Sequence, residues 1–405
     1  MKLKIKNFRS IEEQEIDLAP ITVLYGPNGS GKSSLLYALL TFRNIVLNSN
    51  QDPRLFFNYG FVNLGDYDAV VFDHDGERAI ELSLTIPVAQ VVVQYGVTFD
   101  KKSTGAFAAS IQDSEGPGAK FALPVSFPYP ANQRIDQRIS RKNRDFIVTW
   151  NGIVAEAKPE KHEQKAHAEA IELAVYLNYP PEVLRQLDIV PLKRGFSKPL
   201  YSPLAQMNIP FSPMAGTEDE IANLLEFDKS VQAKVRDCMK EIFDREFRVN
   251  VKPGTLIFSL DITDTRTGIS CELVNEGFGI NQIVHILAKC FQFESGLVLI
   301  EEPEIHLHPT AIRSLARALV RIAQGENKSF VISTHSESFV SALLALLVRG
   351  DLSPKDLACY LVQKEGKATK FVPQAVNEKG QVEGGLTSFL EGELEDLKTF
   401  LKVTE

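Results

Sequence analysis

Gly26-Pro27-Asn28-Gly29-Ser30-Gly31-Lys32-Ser33 is the stretch that decides how the rest of the chain is read. It has the form G-x-x-x-x-G-K-S. Before it, Ile21-Thr22-Val23-Leu24-Tyr25 is a short apolar, β-branched run, as a buried parallel strand should be. After it, Ser34 to Leu47 alternates leucines and small residues as a helix would. Strand, glycine loop and helix in that order aim backbone N–H groups and the positive end of a helix dipole at one spot, which suits polyphosphate. Lys32 is placed to reach the β- and γ-phosphates, and the Ser33 hydroxyl to ligate Mg²⁺. The competing reading, a chance glycine-rich turn, does not account for the flanking strand and helix. The expectation is a nucleoside triphosphate site.

The bulk numbers narrow the class. A chain of 405 residues has room for two domains, or one domain with a large insertion. Net charge is −8, which argues against a whole-surface basic footprint for nucleic acid but leaves room for a local patch. Cys238, Cys271, Cys290 and Cys359 show no C-x-x-C spacing, so neither a zinc site nor a disulfide framework is indicated, and a reducing, cytoplasmic setting fits. Met1 to Lys6 alternates charged and apolar residues and reads as a strand rather than a signal peptide. No apolar run approaches membrane-spanning length.

Along the chain, residues 2–6 and 11–18 alternate like two half-buried strands around Asn7-Phe8-Arg9-Ser10. Two more strands lie in 79–99, on either side of Pro87. Residues 101–131 are rich in Gly, Ser and Pro and read as loops and short strands of a peripheral insertion. Asn151-Gly152 marks a hairpin turn within 145–154. Residues 160–177 read as a helix and 188–202 as irregular. Thr217-Glu218-Asp219-Glu220 is a capping box that opens one long amphipathic helix reaching Ile242. A strand over 256–262, a helix over 280–293, buried strands at 297–300 and 329–333, helices over 310–323 and 336–348 and a closing hairpin near 358–372 follow. Residues 386–401 read as a terminal amphipathic helix. The ends alternate strand and helix while the middle does not. The fold class is therefore α/β, a P-loop NTPase core from 1–99 and 251–405 interrupted by a mixed α+β insertion over 100–250.

The strand Leu297 to Ile300 runs directly into Glu301-Glu302-Pro303-Glu304. A carboxylate at the end of a buried strand beside the phosphate loop is where Mg²⁺ takes its second protein contact, and Glu301 has that place. Glu302, next along, extends toward the γ-phosphate and is placed to orient or deprotonate the attacking water. Two adjacent acids there are costly without a cation, which argues against a mere helix cap. After the strand Phe330-Val331-Ile332 comes Ser333-Thr334-His335-Ser336, whose His335 can hydrogen-bond a γ-phosphate.

With these motifs in place, the chain resembles the ABC-type ATPases of the SMC and RecF kind. Asn7-Phe8-Arg9-Ser10, the phosphate loop, the Ile-Glu-Glu-Pro-Glu stretch and the switch His carry the resemblance. Ile300-Glu301-Glu302-Pro303-Glu304-Ile305-His306-Leu307-His308-Pro309 looks like the branch that includes OLD-type ATPases, in which the Walker B Asp is Glu. The resemblance implies ATP with Mg²⁺, and ATPase heads that dimerise head to tail and trap nucleotide between them. It implies a signature motif at Asn275-Glu276-Gly277-Phe278-Gly279, which departs from Leu-Ser-Gly-Gly-Gln, and a D-loop over 305–308 with His306 and His308 at the dimer interface. It also gives Arg9 a nucleotide contact. OLD-type proteins often carry a Toprim nuclease domain, for which too little chain follows Phe371, so no intrinsic nuclease is expected. Nor is a long coiled coil. The implied role is a nucleotide-driven dimerisation switch in DNA repair or defence against mobile DNA. A transporter motor and a non-enzymatic nucleotide-gated adaptor are the alternatives.

Two further patterns have competing readings. Glu304, His306 and His308 have the look of metal ligands, but their family position favours interface and packing roles. Arg134, Arg138, Arg141, Lys142 and Arg144 form a basic run to which DNA or an acidic protein could dock, or which is a solvated arm.

Overall fold

Alternating charged and apolar residues make the first hairpin. β1 (Lys2–Phe8) and β2 (Ile11–Asp17) pair antiparallel with Leu3 opposite Ile16, burying both. The computed structural model describes residues 1–113, 118–141, 144–160, 164–204 and 216–376. The terminal helix expected over 386–401 and Lys142 lie outside the described residues. β3 (Ile21–Tyr25), buried at every position, leads through the glycine loop into α1 (Lys32–Leu47). After the four-residue α2 (Tyr67–Val70) the chain forms a run of strands: β4 (Ile80–Val88), β5 (Val91–Phe99), β6 (Thr104–Asp113), β7 (Ala119–Ser126), β8 (Ile135–Arg141), β9 (Arg144–Trp150) and β10 (Ala155–Pro159). α3 (Gln164–Arg185) and β11 (Leu187–Val190) follow, then α4 (Glu218–Phe227), α5 (Lys229–Phe243), β12 (Arg245–Val251), β13 (Phe258–Asp264) and β14 (Ser270–Glu272). The last stretch is α6 (Phe278–Phe291), β15 (Leu297–Glu301), α7 (Pro309–Gly325), β16 (Ser329–Thr334), α8 (Glu337–Val348), β17 (Leu357–Glu365) and β18 (Ala368–Gln374).

These elements form two compact units. One comprises Met1–Leu18, Ser33–Leu187 and Lys364–Lys370. Its main sheet has the order β2-β1-β4-β5-β6-β7, antiparallel throughout, with a second sheet β10-β9-β8. Phe42 of α1 stacks on Tyr95 of this main sheet. The other unit comprises Ala19–Lys32, Asp188–Gln363 and, among the described residues, the chain from Phe371. Its sheet has the order β11-β15-β16-β3-β17-β18, in which β15, β16, β3 and β17 run parallel. Apolar faces of α4 to α8 and these strands form one contiguous core in this unit.

At the boundaries expected at 99/100 and 250/251 the strands are paired: Phe99 of β5 with Gly105 of β6, and Asn250 and Val251 both with β13. Several expectations about single elements need correction. The Gly, Ser and Pro content of 101–131 conceals true alternation, seen in β7, whose residues are buried and exposed by turns. The single long helix from 217 is two. Asp228 closes α4 and accepts from the N–H groups of Ser230 and Val231 to open α5, so a cap interrupts an unbroken apolar pattern. α3 runs on to Arg185 through Pro180 and Pro181, with buried Leu184 offsetting the lost backbone bonds. Residues 188–190, expected to be irregular, belong to the strand β11 beside β15.

Candidate active site

In-register parallel pairing sets Glu301 opposite Ser333, and Thr334 opposite Tyr25. The loops leaving β3, β15 and β16 therefore emerge at one end of the sheet, where α/β folds bind ligands. At that end Gly26 has a φ of 148°, and a Cβ there would lie 2.3 Å from the Val362 carbonyl oxygen, so only glycine fits. Pro27, Asn28 and Gly29 are exposed, while Ser30 and Lys32 are buried. Gly31 also has a positive φ. Lys32 folds back on its own loop: Nζ donates to the carbonyls of Gly26 and Pro27, both at 2.9 Å, and lies 3.2 Å from His335 Nδ1. Burial pulls the Lys32 ammonium down to about 8, against the opposing charges of Glu302 and Glu304.

His335 joins this lysine to the acid. Its Nε2 is 2.8 Å from Glu302 Oε1. Its Nδ1 lies 3.0 Å from the Gly26 carbonyl oxygen as well as beside Lys32 Nζ, so the ring links the phosphate loop to the acid. Glu302 itself has a φ of 42°, left-handed for a residue with a side chain. Such a conformation costs on the order of 1–3 kcal/mol and persists only where its surroundings impose it. They do here. Glu302 N–H donates to Ser333 O at 2.8 Å, and its carbonyl accepts from Arg194 Nη2 at 2.7 Å.

Glu301 is buried, and its carboxylate accepts from the N–H of Leu192 at 3.3 Å. Glu304 turns inward: Oε1 accepts from the Thr334 hydroxyl at 2.7 Å and from the His335 N–H at 2.8 Å. Its Oε2 is buried without a hydrogen-bond partner among the described residues, and burial raises the pKa of Glu304. Glu304 thus holds the backbone that carries His335. Neither Glu304 in this role nor Arg194 is expected from the sequence. Reading Ile189-Val190 as a buried strand would have placed Arg194 beside the other strand ends.

Gly277 and Gly279 differ in environment. Gly277 N-caps α6 and nothing would meet a Cβ there within 4 Å. A Cβ on Gly279 would lie 2.5 Å from the His306 carbonyl oxygen, and the Phe278 ring sits 4.9 Å from the His306 ring. Asn275 bonds Glu272, and Glu276 pairs with Arg245. His306 and His308 are exposed, and His308 accepts from Thr310 N–H as the N-cap of α7. In the other unit, Arg9 places its guanidinium 5.2 Å from the Tyr37 ring centre, and Ser34 bonds Ser10. Ser33 is half-buried in the first turn of α1. The basic run is largely neutralised. Arg138 pairs with Asp145 and Glu160, Arg144 with Glu169, and buried Arg141 with Asp113 and Glu172. Arg134 is the one described member with no ion pair among the described residues.

The Glu301 carboxylate and, in the other unit, the Ser33 hydroxyl are each hard oxygen donors of the type Mg²⁺ takes. No described helix is long and apolar enough to cross a membrane.

A family model described as an AAA ATPase domain matches residues 1–340. Over 388 residues the chain is 23% identical to the OLD nuclease of Thermus scotoductus, covering 91% of this chain and 65% of that protein. It is 25% identical over 363 residues to the Old nuclease of Escherichia phage P2, covering 84% and 57%. The chain thus spans less than two thirds of the length of these two relatives. Among solved structures, an SMC head bound to the C-winged helix domain of ScpA matches at 11% identity with a TM-score of 0.49, covering 93% of this chain and 98% of that one.

Proposed function

The chain belongs to the AAA ATPase domain family, and from that premise we propose that it hydrolyses ATP and uses the cycle as a dimerisation switch. The observation that carries this reading is the line Lys32–His335–Glu302, which joins the phosphate loop to the acid after β15. Backbone N–H groups of residues 26–32 cradle the phosphates, and Lys32 stabilises charge developing on the γ-phosphate. Ser33 and Glu301 would hold Mg²⁺, which supplies charge neutralisation at the phosphate oxygens. Glu302 orients the attacking water and takes its proton, and His335 reports the γ-phosphate through the same carboxylate. Gly277 and the exposed His306 and His308 supply contacts to a second head across the nucleotide. The similarity to proteins named OLD nucleases supports a setting in DNA repair or in defence against mobile DNA.

The test measures ATP turnover with Mg²⁺, together with mass in solution, for wild type and Glu302→Gln. Expected are turnover in the wild type, a loss of about 100-fold or more in the variant, and a variant held as an ATP-dependent dimer. Unchanged turnover in the variant removes Glu302 from the chemistry, and a monomer under every nucleotide removes the switch.

A further inference from the structure

We infer that Arg194 is a positioning residue for hydrolysis: its guanidinium clamps the backbone of Glu301 and Glu302 so that the Glu302 carboxylate is held toward His335. The inference rests on the ATPase reading above and adds a residue to it.

The geometry is specific. Arg194 is 7% exposed, with no room for it to be a surface cation. Nη1 donates to the carbonyl of Glu301 at 2.5 Å and to that of Pro191 at 2.9 Å, and Nη2 donates to the carbonyl of Glu302 at 2.7 Å. A planar fork is thus spread over two consecutive carbonyls, a pattern an ammonium cannot reproduce. From the opposite side, Ser333 O takes the Glu302 N–H. The peptide groups on both sides of the left-handed residue are therefore fixed, and the side chain between them has its direction set. Because the fork binds carbonyls and not carboxylates, it leaves the acids available for chemistry. Its charge still lies close to Glu301, Glu302 and Glu304, a fixed counter-charge for three buried or half-buried acids.

The segment that carries Arg194 is itself anchored. Asn281 of α6 accepts from Phe196 N–H at 2.7 Å and donates to Phe196 O at 2.9 Å. A Cβ on Gly195, whose φ is 117°, would lie 2.7 Å from the Asn281 side-chain oxygen. The clamp is thus built from the signature-bearing helix α6 on one side and the acid-bearing strand end on the other.

The experiment compares wild type with Arg194→Met, Arg194→Lys and Arg194→Met/Glu302→Gln. A displaced catalytic group costs on the order of 100-fold in rate. Arg194→Met is expected to lower kcat by about that factor while KM and the affinity for a fluorescent ATP analogue stay within about 3-fold. Arg194→Lys retains charge and loses the fork, so its kcat should fall nearly as far. In the Glu302→Gln background Arg194→Met should change the residual rate little, because both act through one group. Equal losses in kcat and nucleotide affinity, full activity in Arg194→Lys, or additive losses in the double variant would each overturn the assignment. A crystal structure of Arg194→Met gives a readout independent of turnover. Glu302 should leave its left-handed conformation and lose His335, and retention of both would also overturn it. A wild type without turnover would sink the ATPase reading, while the crystal structure would still decide whether Arg194 sets the Glu302 geometry.

Discussion

Replacing Glu304 by alanine takes away the one acceptor shared by the Thr334 hydroxyl and the His335 N–H. Two donors in a buried pocket then lack a partner, at a cost of about 1–3 kcal/mol each. A glutamine keeps a side-chain oxygen at that position and should preserve both bonds. Glu304→Ala should therefore lose stability in urea unfolding and lose turnover, and Glu304→Gln should lose little of either. Indistinguishable behaviour of the two variants would show that Glu304 does not hold the switch backbone. His285 offers a second test with a sign fixed by burial. It lies on α6 against Phe196, with neither ring nitrogen hydrogen-bonded among the described residues. Burial, helped by the charges of Lys289 and Arg194 and opposed by those of Asp188 and Glu218, pushes its imidazole down to about 3. The unfolded chain binds that proton near 6.5 and the folded one only near 3, so the unfolded state gains protons as pH falls between those values. This group's contribution to stability is complete above about 6.5 and is lost toward about 3, by up to about 1.4 kcal/mol per pH unit. His285→Phe should flatten the acid side of a stability-versus-pH curve, and an unchanged slope would contradict the burial argument.

The start of α6 makes a comparable prediction among the elements. Gly279→Ala drives a methyl into the His306 carbonyl, whereas Gly277→Ala meets open space at an ordinary φ of −55°. Gly279→Ala should cost about 1–3 kcal/mol, as overpacking does, and Gly277→Ala should leave thermal stability near wild type. Equal melting temperatures for the two would mean the loop at His306 yields freely. The same elements show what a sequence discloses. β3, β15 and β16 were legible because a strand buried on both faces must be apolar throughout, and the glycine loop because few backbones can follow its path. The break at Asp228 was hidden because the apolar pattern continues across it, and only the carboxylate's bonds to Ser230 and Val231 show two helices. Arg194 was hidden for a different reason. Two of its three partners are backbone carbonyls over a hundred residues away, and carbonyls leave no mark in a sequence. Arg138, Arg141 and Arg144 read as a charged run only because their acids come from other elements.

At the scale of the molecule, the chain returns to each compact unit more than once. β3 lies within the first thirty residues, yet it is paired on one side with β16 and on the other with β17. A fragment comprising residues 188–405 therefore lacks an interior strand of its parallel sheet and exposes both β16 and β17 as raw edges. Expressed alone it should show no cooperative thermal transition by circular dichroism, and supplying residues 1–187 in trans should recover one. A cooperative melt from the fragment alone would show that the sheet closes without β3.

If Lys32 binds nucleotide as proposed, entry takes on an unexpected character. Its ammonium is already committed to two carbonyls and a ring nitrogen. On the reading proposed above, admission of a phosphate would be a swap of partners, with the incoming ligand competing against the loop's own oxygens. A lone phosphate brings few replacement acceptors, while a chain of phosphates brings many, so the resident bonds would then act as a threshold that filters for polyphosphate. On the same reading the swap would take Lys32 away from His335 as the ligand arrives, which would make the histidine a witness to occupancy before any bond is cleaved.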